Sequence, residues 1–129
     1  MDEVIEKHMT LLKPGGQLVV SIPNLYGLNY YTVSKYLPHV IPMHNLTIMK
    51  LPVFQKLFTR KNLNSQYCGY HGGIHFLMAA VDEAPMSKTT LKAFRISQMM
   101  ANLVQAITGP LDSRWASSFL LYVGSKAQK

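Results

Sequence analysis

The sequence predicts a single α/β domain, because helical and strand patterns alternate along its 129 residues. Three stretches carry that expectation. A helical repeat over the first dozen residues breaks at Pro14-Gly15-Gly16 and gives way to the apolar run Leu18-Val19-Val20-Ser21-Ile22. A long amphipathic pattern follows Ser87, and a second apolar run, Ser118 to Gly124, comes near the end.

Taken in order, Val4, Ile5, Met9, Leu11 and Leu12 recur at helical spacing, with acids early and Lys7 and Lys13 late, the charge order that suits the helix dipole. Proline cannot continue that helix, and glycine accepts positive φ, so Pro14-Gly15-Gly16 ends it. The run Leu18–Ile22 is nearly continuous and β-branched, which predicts a strand covered on both faces, as in a parallel sheet. Pro23-Asn24 closes it. Residues 25–42 hold Tyr26, Tyr30, Tyr31 and Tyr36 between breakers; a short helix around Tyr30–Tyr36 inside a connecting loop is expected.

Helical spacing returns from Thr47 to Arg60, with Leu51, Phe54, Leu57 and Phe58 on one stripe, Pro52 in the first turn and Asn62 as C-cap. Leu63–Tyr70 alternates as a strand that closes at Gly72-Gly73, and Ile74–Ala84 fits either state. Ser87 is a good N-cap for a helix to about Ile107, stopped by Gly109-Pro110, with a broad apolar face from Leu91 to Ile107. The expected domain spans 1–129, with a helical insertion at about 74–116.

The composition is 48% hydrophobic with only 15% charged residues, below the ~25% usual for soluble domains. Thirteen basic residues against six acids give a net charge of +7, which favours anionic partners. The basic residues are scattered; only Lys56–Arg60–Lys61 and Lys88–Lys92–Arg95 share a helix face, so nucleic acid is possible but not favoured. The single cysteine, Cys68, rules out an internal disulfide and a cysteine-based zinc cluster and reads as a small buried apolar residue. The acidic start excludes a signal peptide, and no run of ~18 apolar residues marks a transmembrane segment. A soluble cytoplasmic protein is expected.

The stretch Leu11-Leu12-Lys13-Pro14-Gly15-Gly16-Gln17-Leu18-Val19-Val20-Ser21-Ile22-Pro23-Asn24 resembles the "L-K-P-G-G-x-L-x-x-S-x-P-N" segment of class I S-adenosylmethionine-dependent methyltransferases, where a helix feeds the fifth strand. Met43-His44-Asn45-Leu46 resembles the "R-H-L-x-x-[FM]-[ST]" opening of the next helix in a common branch. Ser118–Lys126 is similar to the last strand of that fold, which is antiparallel and ends in a basic residue. The resemblance covers most of the chain and is weakest over 74–116. It implies the C-terminal portion of a Rossmann-like methyltransferase sheet, ordered helix-strand-helix-strand-helix-strand.

That family holds its cofactor against a Gly-rich turn after the first strand, with an acidic residue at the end of the second strand binding the ribose hydroxyls. Neither is legible here. Gly15-Gly16 precedes a strand, Gly72-Gly73 ends one, and Asp82-Glu83 is expected in a loop. The resemblance therefore implies that the cofactor-binding half, with the first four strands, lies outside this chain. S-adenosylmethionine would then bind weakly or not at all to the chain alone.

In an open α/β sheet, ligands bind at the carboxyl ends of the strands. Asn24 stands at such an end and can hydrogen-bond a methyl acceptor or simply cap the strand. Tyr26, Tyr30 and Tyr31 can wall off an acceptor or only pack the loop. His44 is the candidate for proton transfer, since imidazole titrates near pH ~6.5 and the family's histidine before this helix faces the acceptor. His71 and His75 flank two glycines and lack a third ligand, so no metal site is expected. Two functions stay open. One is a methyltransferase part acting on a small-molecule acceptor together with an N-terminal half or partner chain. The other is a basic, non-catalytic module that docks on protein or RNA through the helix at 88–107.

Overall fold

A computed structural model describes residues 2–59, 62–75 and 85–127. Helix α1, Asp2–Leu11, turns Ile5 and Met9 inward, and a Glu3–Lys7 ion pair of 3.0 Å spans one turn of its exposed side. The Pro-Gly-Gly turn follows with Gly15 at φ 76°, and the Gly16 amide donates to the Lys13 carbonyl at 2.9 Å. Strand β1, Gln17–Pro23, leaves the turn, so the helix–turn–strand reading holds.

The loop expected at 25–42 is more regular than its prolines imply. Helix α2, Leu28–Tyr36, is followed by a 3-10 segment, Pro38–Met43, in which Pro38 occupies the first position, where no amide is needed. The helix expected over 47–60 is shorter and broken. A 3-10 turn, Leu46–Met49, precedes helix α3, Leu51–Lys56, and extended backbone at Lys50 (ψ 121°) separates them. Pro52 bears on the break, because it has no amide to bond the Ile48 carbonyl and so cannot continue a ladder begun at Thr47. Helix α3 ends at Lys56 with Leu57 as its C-cap, so Asn62 is no C-cap; the Asn62 carbonyl accepts from the Ala127 amide at 3.1 Å.

Strand β2, Leu63–Ile74, runs through Gly72-Gly73 instead of closing there; both glycines have positive φ and lie within a bulge between His71 and Ile74. Helix α4, Lys88–Thr108, starts at Ser87, whose hydroxyl accepts from the Thr90 amide at 3.1 Å, and stops at Gly109 with φ 82°. Residues 76–84 of the expected insertion, including Asp82 and Glu83, lie outside the described residues, as do Arg60 and Lys61 of the first basic group. Strand β3, Ser117–Lys126, completes the fold.

Among the described residues the sheet has three strands in the order β1-β3-β2, with β3 antiparallel to both neighbours. The elements thus follow the expected succession, but this is an antiparallel sheet and not the parallel order of a Rossmann domain. Hydrogen-bonded on both sides, β3 is the central strand. One sheet face is buried: Leu18, Ile22, Leu120 and Tyr122 meet Ile5, Met9, Val33, Phe54 and Phe58. Phe58 stacks on Tyr122 with ring centres 3.6 Å apart, and Phe54 meets Phe58 edge-on at 5.2 Å.

The expectation that β1 is covered on both faces is not met. Along β1, Leu18 and Ile22 are buried while Val19 between them is 60% exposed. A β-branched run gives no sign of which face lacks a cover, because Val19 suits a strand whether or not anything packs on it.

Candidate functional site

β1 and β2 each lie antiparallel to β3, so their carboxyl ends point the same way. Near that end of the sheet lies a cleft of about 250 Å³, lined by Tyr26, Lys50, Leu51, Pro52, Val53, Tyr70 and Arg114. Its volume is close to the lower limit for small-molecule sites. Tyr26 comes from the segment after β1, Tyr70 from β2, and Lys50 to Val53 from the start of α3. Arg114 comes from the turn before β3.

A knot of buried amides fixes this geometry. Asn24, fully buried, donates through Nδ2 to the carbonyls of Ser117 (2.9 Å) and Arg114 (3.2 Å), while its Oδ1 accepts from the Tyr26 amide at 3.3 Å. Asn29 adds Nδ2 bonds of 3.0 Å to the carbonyls of Asn24 and Ser117. The Ser117 hydroxyl accepts from the Ser113 amide at 2.7 Å, and Ser113 Oγ accepts from the Ala116 amide at 3.2 Å. The turn that carries Arg114 is therefore tied to the end of β1, and the guanidinium lies 5.9 Å from the Tyr26 ring centre and 5.7 Å from that of Trp115. The Tyr26 hydroxyl donates to the Leu46 carbonyl at 3.1 Å, which holds the ring in place.

Of the residues singled out from sequence, only Tyr26 lines the cleft. Asn24 stands behind it, and its two amide donors and its oxygen are engaged; contact with an acceptor would require these bonds to break. Tyr30 and Tyr31 lie on α2, 43% and 62% exposed. The Lys35 ammonium sits 5.7 Å from the Tyr31 ring centre and 5.3 Å from that of Tyr36, and the Tyr31 and Tyr36 phenols raise the pKa of that lysine. His44 ends the 3-10 segment and is not a wall of the cleft. Its Nδ1 donates to the Val40 carbonyl at 2.9 Å, since a carbonyl only accepts, so that in the neutral ring Nε2 is the nitrogen that can accept a proton.

Lys50, Tyr70 and Arg114 escaped sequence reasoning because no spacing links positions 20 to 64 residues apart; only the sheet order brings them together. Asn29 had one faint signal, a second asparagine five residues after the strand-ending Asn24. Cys68 lies in β2, half-buried, and burial pushes its thiol up, away from nucleophilic use. His71 Nδ1 lies 3.8 Å from Asp112 Oδ2, and no group of three or more potential ligands gathers among the described residues.

The described residues do not form a cradle for S-adenosylmethionine. Gly27 is the one glycine between a strand and a helix, with φ 63°, but a Cβ there would fall on the backbone of Trp115, so protein already fills the space it frees. On Gly73 a Cβ would meet the Gln105 side chain. Asp112, the described carboxylate nearest the knot, accepts from the Gly73 amide at 2.8 Å and the Ser117 hydroxyl at 3.4 Å. Compared with protein-family models, curated proteins and solved structures, the chain has no significant match.

Proposed function

We propose that this chain is the acceptor-side part of a class I methyltransferase, with S-adenosylmethionine held by another polypeptide segment or subunit. The observation that carries the reading is the cleft at the carboxyl ends of β1 and β2, where open α/β sheets bind ligands. Two features add support. The last strand runs antiparallel, as in that family, and its closing Lys126 donates through Nζ to the carbonyls of Met9 (2.9 Å) and Leu12 (2.8 Å). The Pro-Gly-Gly turn pairs with the same residue through bonds of 3.0 Å (Gly15 amide to Lys126 carbonyl) and 2.9 Å (Lys126 amide to Gly16 carbonyl).

The lining supports one class of acceptor. Tyr26 and Tyr70 offer ring surface, Leu51, Pro52 and Val53 an apolar floor, and Lys50 and Arg114 two cations, with no acid among the described lining residues. A flat acceptor bearing a carboxylate or an ionisable hydroxyl fits, with its ring on the tyrosines and its anionic group toward Arg114. Orientation and exclusion of water are the contributions these residues make. His44 Nε2 is the group available to take a proton, provided the 3-10 segment brings it toward the cleft.

The test is to feed methyl-deuterated methionine to cells with and without the gene and compare labelled small molecules. A labelled aromatic product should vanish with the gene, return with the wild-type chain and return only weakly with Arg114→Ala. If no labelled product depends on the gene, the reading fails. A docking role without chemistry is the second reading, and the outer face of α4 favours it.

A further inference from the structure

Helix α4 is attached by the side that a sequence would leave in water. Its one buried residue is Gln98. Gln98 Nε2 donates to the Ile74 carbonyl at 3.2 Å, and Gln105 brackets the same residue, accepting from its amide at 2.7 Å and donating to its carbonyl at 3.2 Å. Phe94 adds an edge-on contact with Tyr36 at 5.8 Å. At 100° per residue, Ile96, Met100, Leu103 and Ile107 fall within an arc of about 60°, roughly opposite the two glutamines. They are 48%, 53%, 58% and 81% exposed, and Met99 and Val104 widen the stripe at 62% and 44%.

The charges on this helix are as uneven as its apolar residues. Lys88, Lys92 and Arg95 lie along one border of the stripe, all exposed, and the helix holds no acid. Lysines at the amino end of a helix oppose its dipole, so their placement does not serve the helix itself. A second copy of the face would bring no acidic residue to this border. An anionic lipid surface satisfies both halves, accepting the Ile, Met and Leu side chains below the headgroups and the lysines among the phosphates. No helix among the described residues is long and apolar enough to cross a membrane, so α4 would lie in the plane of the interface.

We infer that α4 docks the protein on anionic membranes through the Ile96–Met100–Leu103–Ile107 stripe and its Lys88–Lys92 border. This does not depend on the cleft taking a methyl acceptor. The test is co-sedimentation of the full chain with vesicles of phosphatidylcholine alone and of phosphatidylcholine with an equal part of phosphatidylglycerol. Binding to the anionic vesicles only, weakened about fivefold by each of Lys88→Ala and Lys92→Ala, is the expected result. Leu103→Gln with Ile107→Gln should abolish it with the far-ultraviolet circular dichroism unchanged, since both side chains are exposed. Failure to bind either vesicle, equal binding to both, or retained binding by the double glutamine variant overturns the inference. So does a dimer in light scattering that the double variant dissolves, which would assign the face to a second copy.

Discussion

Asn24 shows how much one side chain can fix. It ends β1, spans to the turn before β3 and orients Tyr26, all from a site with no exposure. Replacing it with alanine strips the Arg114 carbonyl of its donor and leaves the Ser117 carbonyl with Asn29 alone, so Asn24→Ala should lower unfolding stability by about 2 kcal/mol. Asn24→Asp should do no better, because a carboxylate cannot donate; chemical denaturation of both variants checks this. Arg114 differs, because the knot uses its backbone carbonyl and leaves its guanidinium over Tyr26. Arg114→Ala should keep the wild-type melting temperature while weakening the binding of an aromatic carboxylate about tenfold in a calorimetric titration. Cys68 is predicted to react more slowly with iodoacetamide at neutral pH than a free thiol. Burial raises its pKa, so less thiolate is present; mass spectrometry of the alkylated chain gives the rate.

Among the elements, α1 depends on a residue more than a hundred positions away. Its last carbonyls have no partner within the helix, and Lys126 supplies one from the far end of β3. Lys126→Met keeps the aliphatic stem and removes the donor, and should cost about 1–2 kcal/mol in thermal unfolding. The readings of α1, β1 and α4 from sequence succeeded because each has a local stop: Pro14-Gly15-Gly16 for α1, Pro23 for β1, and Ser87 and Gly109 for α4. The long helix expected at 47–60 failed where the local rule was weakest. Pro52 is tolerated in the first turn of a helix, and nothing in the stripe from Leu51 to Phe58 reveals that the turn before it is a separate 3-10 segment.

For the whole molecule, the sheet order sets which backbone groups are protected. Both edges of β3 are paired, whereas β1 pairs only with β3 among the described residues. Val4, Ile5, His8 and Leu18–Ser21 line another, smaller cavity of about 220 Å³ between α1 and that strand. Hydrogen exchange should therefore find the β3 amides slowest throughout and the β1 amides alternating between slow and fast. Uniform protection along β1 would mean that another strand or chain covers the edge in solution.

Sequence alone determined the succession of helices and strands, the ends of most of them, the basic charge and the single thiol, which the fold leaves only half-buried. These follow from residue periodicity and from the backbone limits of proline and glycine, which act over a few positions. Tertiary structure decided that β3 enters between β1 and β2, that Arg114 and Lys50 meet Tyr26 and Tyr70, and that α4 turns its glutamines inward. The reason is physical. Glutamine amides that find the unpaired backbone of Ile74 can outweigh an apolar stripe in choosing the inner face of a helix, and periodicity records the stripe but not its orientation.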